Sequence, residues 1–434
     1  MALAASLEGV AMPLLSSSSG PRGRFDSVPL LLLALVADGF DTAAFAFVIP
    51  TLSRAWGLHP AAFTLPLVIA NFGAVVGFFC CGWLSSRIGR HTVVSASVAL
   101  FSVGTLLLPL SPSIAVMSAL RLLIGFGFGA VIPAAVSLAS DVVPPRLRAS
   151  VSVAVLIGLS VGFTLGGLVG GRLLTRFGWH GVFWLPGAFF AVCAVLMWWR
   201  LPRISPAEPG QAATASLRSL FAAGLRSRTI MLGLFAFIVF AAYYTLQSWL
   251  PTLLVSTGFT TTQAPLAAAA LGIGGIVGGI LLALGSAYVR PARLLIVVSL
   301  LAVGCLVVAG LVPVRLAVLL TVLGGAGAGL LASCNGSAAI AVGVYDGATR
   351  TTGVAWTAGI GRVGSIVGPA AGGLLVALDQ GVPVLVLGLV APLLLAAGIA
   401  IALARRTRAA ERKPLGARQD PHGRAAGTKL STKE

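Results

Sequence analysis

Charge is scarce in this chain. Only 9% of its 434 residues are charged, against 58% hydrophobic, and acids are scarcer than bases, with 11 Asp and Glu facing 29 Lys and Arg. The four histidines, His59, His91, His180 and His422, are scattered, with neither metal spacing nor a triad partner. The five cysteines, Cys80, Cys81, Cys193, Cys305 and Cys334, all fall in apolar runs, which argues against a disulfide framework and a zinc site; they read as small hydrophobes. Residues 1–24 lack a charged segment leading into a short apolar core and a cleavage site, so no removable signal peptide is expected. The net charge of +18 is spread among apolar runs rather than gathered on one face, which argues against a nucleic-acid partner. An enzyme is not expected, nor any cofactor beyond protons.

What the chain has instead is apolar length. Twelve segments long enough to span a bilayer as helices lie near 28–52, 63–84, 92–110, 114–140, 150–172, 182–199, 230–255, 263–285, 294–312, 316–341, 352–377 and 383–404. The expected fold is therefore an all-α membrane protein of about twelve transmembrane helices. A cytoplasmic segment 1–27 precedes a six-helix half at 28–199. A polar, Pro-containing linker at 200–229 leads to a second half at 230–404, and a basic tail occupies 405–434. With the N-terminus inside, Arg22, Arg24, Arg87, Arg90, Arg146, Arg148, Arg200, Arg203, Arg218, Arg226, Arg228, Arg290, Arg293, Arg350 and the tail face the cytoplasm. Only Arg54, Arg172, Arg176 and Arg315 face the other side. That asymmetry orients a multi-pass inner-membrane protein with both termini cytoplasmic. The tail reads as disordered and as a solvated anchor, with anionic lipid as the rival reading.

The halves repeat. Gly82, Arg87 and Arg90 recur as Gly285, Arg290 and Arg293, while Arg148, Gly162, Gly166, Gly170 and Gly171 recur as Arg350, Gly364, Gly368, Gly372 and Gly373. The offset is about 200 residues, and six spans per half make this a parallel repeat, which puts a substrate site between the halves near the midplane. Within the first span stands Ala37-Asp38-Gly39-Phe40-Asp41-Thr42. An Asp at a helix centre costs roughly 2.5–3.5 kcal/mol, so the pair costs on the order of 5–7 kcal/mol before partners are found. Three residues apart, the two share a helix face and bear on each other's protonation, as proton carriers would; capping a break at Gly39 is the structural alternative.

Two stretches resemble signatures of the major facilitator superfamily. They are the loop Gly82-Trp83-Leu84-Ser85-Ser86-Arg87-Ile88-Gly89-Arg90 and a fourth-helix element with Arg121, Gly125, Gly127, Gly129, Pro133, Asp141 and Arg148. More narrowly, Asp38-Gly39-Phe40-Asp41, the Tyr244–Gly258 stretch with Ser248-Trp249-Leu250-Pro251, and Arg350-Thr351-Thr352-Gly353 with Gly361-Arg362-Val363-Gly364 and Gly368-Pro369 resemble the aromatic acid:proton symporters. The resemblance spans residues 28–404. It implies two pseudo-symmetric six-helix halves and proton-coupled import of a small aromatic carboxylate. It also implies gating by Arg87, Arg90, Asp141, Arg148 and Arg350. Ser86 stands where the superfamily carries an Asp that helps latch the cytoplasmic side, and Arg87 is left to pair with Asp141.

Arg121 and Arg362 are the basic residues inside spans, and counting the rise per residue puts Arg121 near Asp41 and Arg362 near Asp38. Arg121 with Asp41 makes a proton-sensitive ion pair, so Asp38, Asp41 and Arg121 are the coupling candidates. Arg362 has no deep acid in its own half and suits a substrate carboxylate, unless it bonds helix carbonyls. Phe40, Tyr243, Tyr244 and Trp356, read as mid-span, are candidate walls for an aromatic ring, with ordinary packing as the rival reading. Asn71, Gln247 and Asn335 either contact substrate or bridge helices. The glycines after Arg121 and Gly158-Leu159-Ser160-Val161-Gly162 mimic a dinucleotide loop and a nucleophile elbow, but without the strand context either needs. A drug or metabolite exporter and a membrane receptor for aromatic acids are the competing functions. A monomer in the lipid bilayer is the expected working unit.

Overall fold

The computed structural model describes residues 27–144, 147–203, 217–222, 225–286, 288–289, 291–311, 315–345 and 349–411. Expectations for Arg22, Arg24, Arg146, Arg290 and Asp346, for most of the linker and for the tail beyond 411 lie outside the described residues. Hydrocarbon offers no hydrogen bonds to a bare backbone, so apolar runs of this length become helices. In chain order these are α1 (Ser27–Trp56), α2 (Thr64–Ile88), α3 (Arg90–Leu107) and α4 (Ile114–Asp141), then a run Arg148–Arg200. The second half holds α7 (Arg226–Ser256), α8 (Pro265–Gly285), α9 (Pro291–Leu311), α10 (Leu316–Val344), α11 (Thr349–Ala377) and α12, formed by Val382–Gly388 and Val390–Glu411 in near-continuity.

The Arg148–Arg200 run is two spans. Gly178 adopts φ 64°, ψ −176°, a conformation costly to any residue with a Cβ, and the chain reverses there without a loop. We label 148–177 α5 and 179–200 α6. The reversal is read from partners along α3: Trp184 Nε1 donates to Leu106 O at 3.1 Å, the Phe190 ring lies 6.3 Å from Phe101, and Trp198 lies 6.5 Å from His91. Among the described residues eleven helices are long and apolar enough to cross a membrane, and the one that reverses at Gly178 brings the spans to twelve.

The sequence repeat is a packing repeat. α1 pairs with α5 and α2 with α4; in the second half α7 pairs with α11 and α8 with α10. Gly162 lies directly on Val36 O and Phe40 N of α1, and Gly364 lies in the same way on Phe237 O and Ala241 N of α7. Backbones this close leave no room for a Cβ, as at small-residue interfaces in membranes.

The halves meet through α5 with α8, α2 with α11 and α1 with α7. At the end expected to face outward this interface is shut. Gly167 and Gly171 lie against Pro265, Ala269 and Thr262, Gly373 lies against Thr64, and His59 Nε2 sits 3.2 Å from Asp379 Oδ1. Toward the other end the halves part around a cavity of about 360 Å³, lined by Ser160 of α5, Phe240 of α7, Gly279 of α8, Asn335 of α10 and Ala358 of α11, among others.

Candidate functional site

α1 carries both acids, but their environments diverge. Three residues on an α-helix leave side chains about 60° apart, enough to send one inward and the other toward the second half. Asp41, 4% exposed, faces the interior of the first half, where Arg121 Nη1 donates to its Oδ2 at 2.6 Å and Thr105 Oγ1 to its Oδ1 at 3.2 Å. The Arg121 guanidinium also lies 4.2 Å from the Phe45 ring centroid. Asp38 has one weak hydrogen bond, from Thr42 Oγ1 at 3.5 Å. The two acids thus do not form a pair sharing a hydrogen bond; each has its own partners.

Arg362 of α11 donates from Nη1 to Tyr244 Oη of α7 at 3.5 Å, and its guanidinium lies 5.8 Å from the Phe78 ring of α2. Among the described residues no carboxylate lies within salt-bridge reach of it. Ala358 and Phe240, which line the cavity, stand one helical turn on the inner side of Arg362 and Tyr244. The Arg362–Tyr244 contact therefore lies one helical turn beyond these two lining residues. Tyr244 is stacked on Phe240 (centroids 6.3 Å, planes 10° apart) and meets Tyr243 edge-on at 5.5 Å; Tyr243 in turn meets Phe163 of α5 at 6.0 Å, across the two halves.

Several expected site residues are placed elsewhere. Phe40 faces, with Phe101, Phe183 and Phe190, a void inside the first half of about 10 Å³, at the limit for a single water and far below an aromatic ring. Trp356 stands only seven residues into α11, off the mid-span, and packs edge-on against Phe221 at 5.4 Å. Asn71 donates to Leu67 O of its own helix at 2.9 Å. Arg90, not Arg87, forms the ion pair with Asp141. Arg87 lies over the Trp83 ring at 4.6 Å, and Ser86 Oγ donates to Trp83 O, so neither reaches across the halves. Arg148 is exposed, and Arg350 Nε donates to Tyr345 O within its own half. Sequence reasoning missed Thr105, Phe78, Phe240 and the His59–Asp379 contact. A hydroxyl within an apolar span signals the first; the others carry no signal that separates them from packing or loop residues.

Two pseudo-symmetric helical halves, shut at one end, open at the other and holding buried charges at their junction, define a two-halved membrane transporter. A profile of the Major Facilitator Superfamily matches residues 31–335. The chain is 31% identical over 402 residues to the 4-hydroxybenzoate transporter PcaK of Pseudomonas aeruginosa, covering 85% of this chain and 90% of that protein. It is 31% identical over 387 residues to the gallate transporter of Pseudomonas putida (82% and 86% covered). It is 29% identical over 389 residues to the 3-(3-hydroxy-phenyl)propionate transporter of Escherichia coli (88% and 94%). The crystal structure of a bacterial homolog of the human lysosomal transporter Spinster, inward-facing and unoccupied, matches the fold with TM-score 0.71 at 20% identity, covering 90% of this chain and 99% of that one. The chain belongs to the major facilitator superfamily and, within it, to the family of aromatic acid transporters.

Proposed function

We propose that the protein imports a small aromatic carboxylate across the inner membrane by alternating access, coupled to protons as the sole coupling ion, with a single chain as the working unit and both termini in the cytoplasm. The observation that carries this reading is Arg362, which reaches Tyr244 beside the cavity and has no carboxylate partner among the described residues, together with Asp38, buried in the other half with a single weak hydrogen bond. A planar guanidinium holds a carboxylate by two hydrogen bonds, and Phe78, Phe240 and Tyr244 offer flat apolar walls for the ring. The names of the relatives, transporters of 4-hydroxybenzoate, gallate and a hydroxyphenylpropionate, support the same substrate class.

Coupling follows from charge. An anion on Arg362 repels an ionised Asp38, so anion binding favours proton uptake there, and by linkage the proton favours the anion equally. With both aboard, the junction of the halves holds no unpaired charge, and the rocking of one half against the other carries less desolvation cost. Asp41, held by Arg121 and Thr105, positions α1 and responds more weakly.

Uptake of labelled 4-hydroxybenzoate, benzoate, protocatechuate and a hydroxyphenylpropionate into cells expressing the protein, with and without a protonophore, tests the reading. Accumulation of at least one acid that collapses with the protonophore is the expected result. Uptake indifferent to the protonophore overturns proton coupling, and absence of uptake of every acid by correctly inserted protein overturns import of these acids.

A further inference from the structure

Among the described residues, Gln247 stands apart. It is 1% exposed, near the middle of the molecule, and neither its amide nitrogen nor its amide oxygen has a hydrogen-bond partner. Of the two roles open to a polar residue in a span, bridging helices is therefore not the one it performs here. The Tyr243 hydroxyl, also buried at 1% exposure, is likewise unpartnered. A buried amide or hydroxyl without a partner costs about 1–3 kcal/mol, so such groups mark places where something else makes the bonds.

The geometry of α7 says where they point. Ala241, Thr245 and Trp249 form the face applied to α11, as their contacts with Gly368 and Gly372 and the bond from Trp249 Nε1 to Pro369 O require. At about 100° per residue, Phe240, Tyr243, Tyr244 and Gln247 share the opposite side of the helix. Phe240 lines the cavity and Tyr244 touches Arg362. Gln247 is the next turn outward on that side, four residues beyond Tyr243. The rise from Tyr244, which touches Arg362, to Gln247 is about 4.5 Å, on the scale of one benzene ring.

We propose that Gln247 and Tyr243 form a second polar subsite, which binds a hydroxyl group carried by the aromatic ring at the end remote from the carboxylate. An amide offers a donor and an acceptor together, and so does a phenol; this complements a hydroxyl, which both gives and takes a hydrogen bond, whereas a second carboxylate would find an acceptor facing it. The transporter is then selective for hydroxylated aromatic acids over the bare acid, because a site built to bond a hydroxyl leaves its own buried groups unpaired when the hydroxyl is missing. The proposal rests on the reading of Arg362 as the carboxylate anchor and adds what holds the other end of the ring.

The test is the ratio of dissociation constants for benzoate and 4-hydroxybenzoate, measured by calorimetry on the purified full-length protein in lipid nanodiscs. Gln247→Leu and Tyr243→Phe are compared with wild type. In wild type, 4-hydroxybenzoate binds about tenfold more tightly; in Gln247→Leu the ratio falls to about one, and in Tyr243→Phe it falls severalfold. Tyr243→Phe keeps the ring against Phe163, so it decides the matter if the leucine variant does not fold. A ratio that both folded variants leave unmoved overturns the subsite while leaving the anchor standing, and so does a wild type indifferent to the hydroxyl. Wild type that binds neither acid overturns the carboxylate reading itself, and the subsite with it.

Discussion

Asp38 and Asp41 read as one motif and stand in two environments, and their substitutions separate accordingly. Asp41 is half of a buried ion pair whose side chains are 5% and 4% exposed. Replacing it with Asn leaves Arg121 charged and buried, which costs about 3–5 kcal/mol. Asp41→Asn therefore lowers the thermal unfolding temperature of the purified protein, and a stability equal to wild type would sink the assignment. Asp38 has only the long bond from Thr42 to lose. Asp38→Asn, which mimics the protonated acid, is expected to keep its stability and to exchange substrate across proteoliposome membranes while failing to accumulate it against a gradient; accumulation intact in that variant would move the proton site elsewhere. The meeting of Arg121 with Asp41 was legible from depth along the spans, since both charges are expensive alone. The divergence of the two acids was not, because about 60° of helix rotation is settled by neighbours distant in sequence. Which aromatic residues stand by the cavity was not legible for a related reason: a span apolar on every side carries no stripe to show which side faces it, so Phe40 and Trp356 looked as eligible as Tyr244.

At the level of helices, the duplicated contact between α1 and α5 and between α7 and α11 gives a paired prediction. An alanine Cβ at Gly162 would fall on Val36 O and Phe40 N, and at Gly364 on Phe237 O and Ala241 N. Gly162→Ala and Gly364→Ala should each destabilise by roughly 1–3 kcal/mol through overpacking. Gly398, exposed on α12 with open space around it, serves as the control, and Gly398→Ala should be neutral or slightly stabilising. Thermal unfolding of the three variants reads the difference; equal behaviour would dissolve the link between the sequence repeat and the packing repeat. The spans themselves were legible to within a few residues, because length and hydropathy decide them. The join between α5 and α6 was not: a gap expected at 173–181 is helix on both sides of Gly178, since one residue in an unusual conformation does the work of a loop.

For the molecule as a whole, the shut end beside His59 and Asp379 and the opening at the opposite end, set in the orientation proposed above, predict where reagents enter. Asn335 is exposed on the cavity wall. With Cys80, Cys81, Cys193, Cys305 and Cys334 changed to serine, a cysteine introduced by Asn335→Cys should react with a membrane-impermeant maleimide in inside-out vesicles and resist it in right-side-out ones. A bound aromatic acid should slow the reaction. The reverse sidedness would invert the orientation drawn from the arginine distribution. The join at Gly178 has a mechanical consequence of its own. α5 lies on the seam between the halves, against α8, while α6 turns Trp184, Phe189, Val192 and Trp199 outward to the lipid. With no slack between the two, tilting α5 at the seam levers α6 against the surrounding acyl chains, so the stiffness and thickness of the bilayer load every turnover as directly as the substrate does.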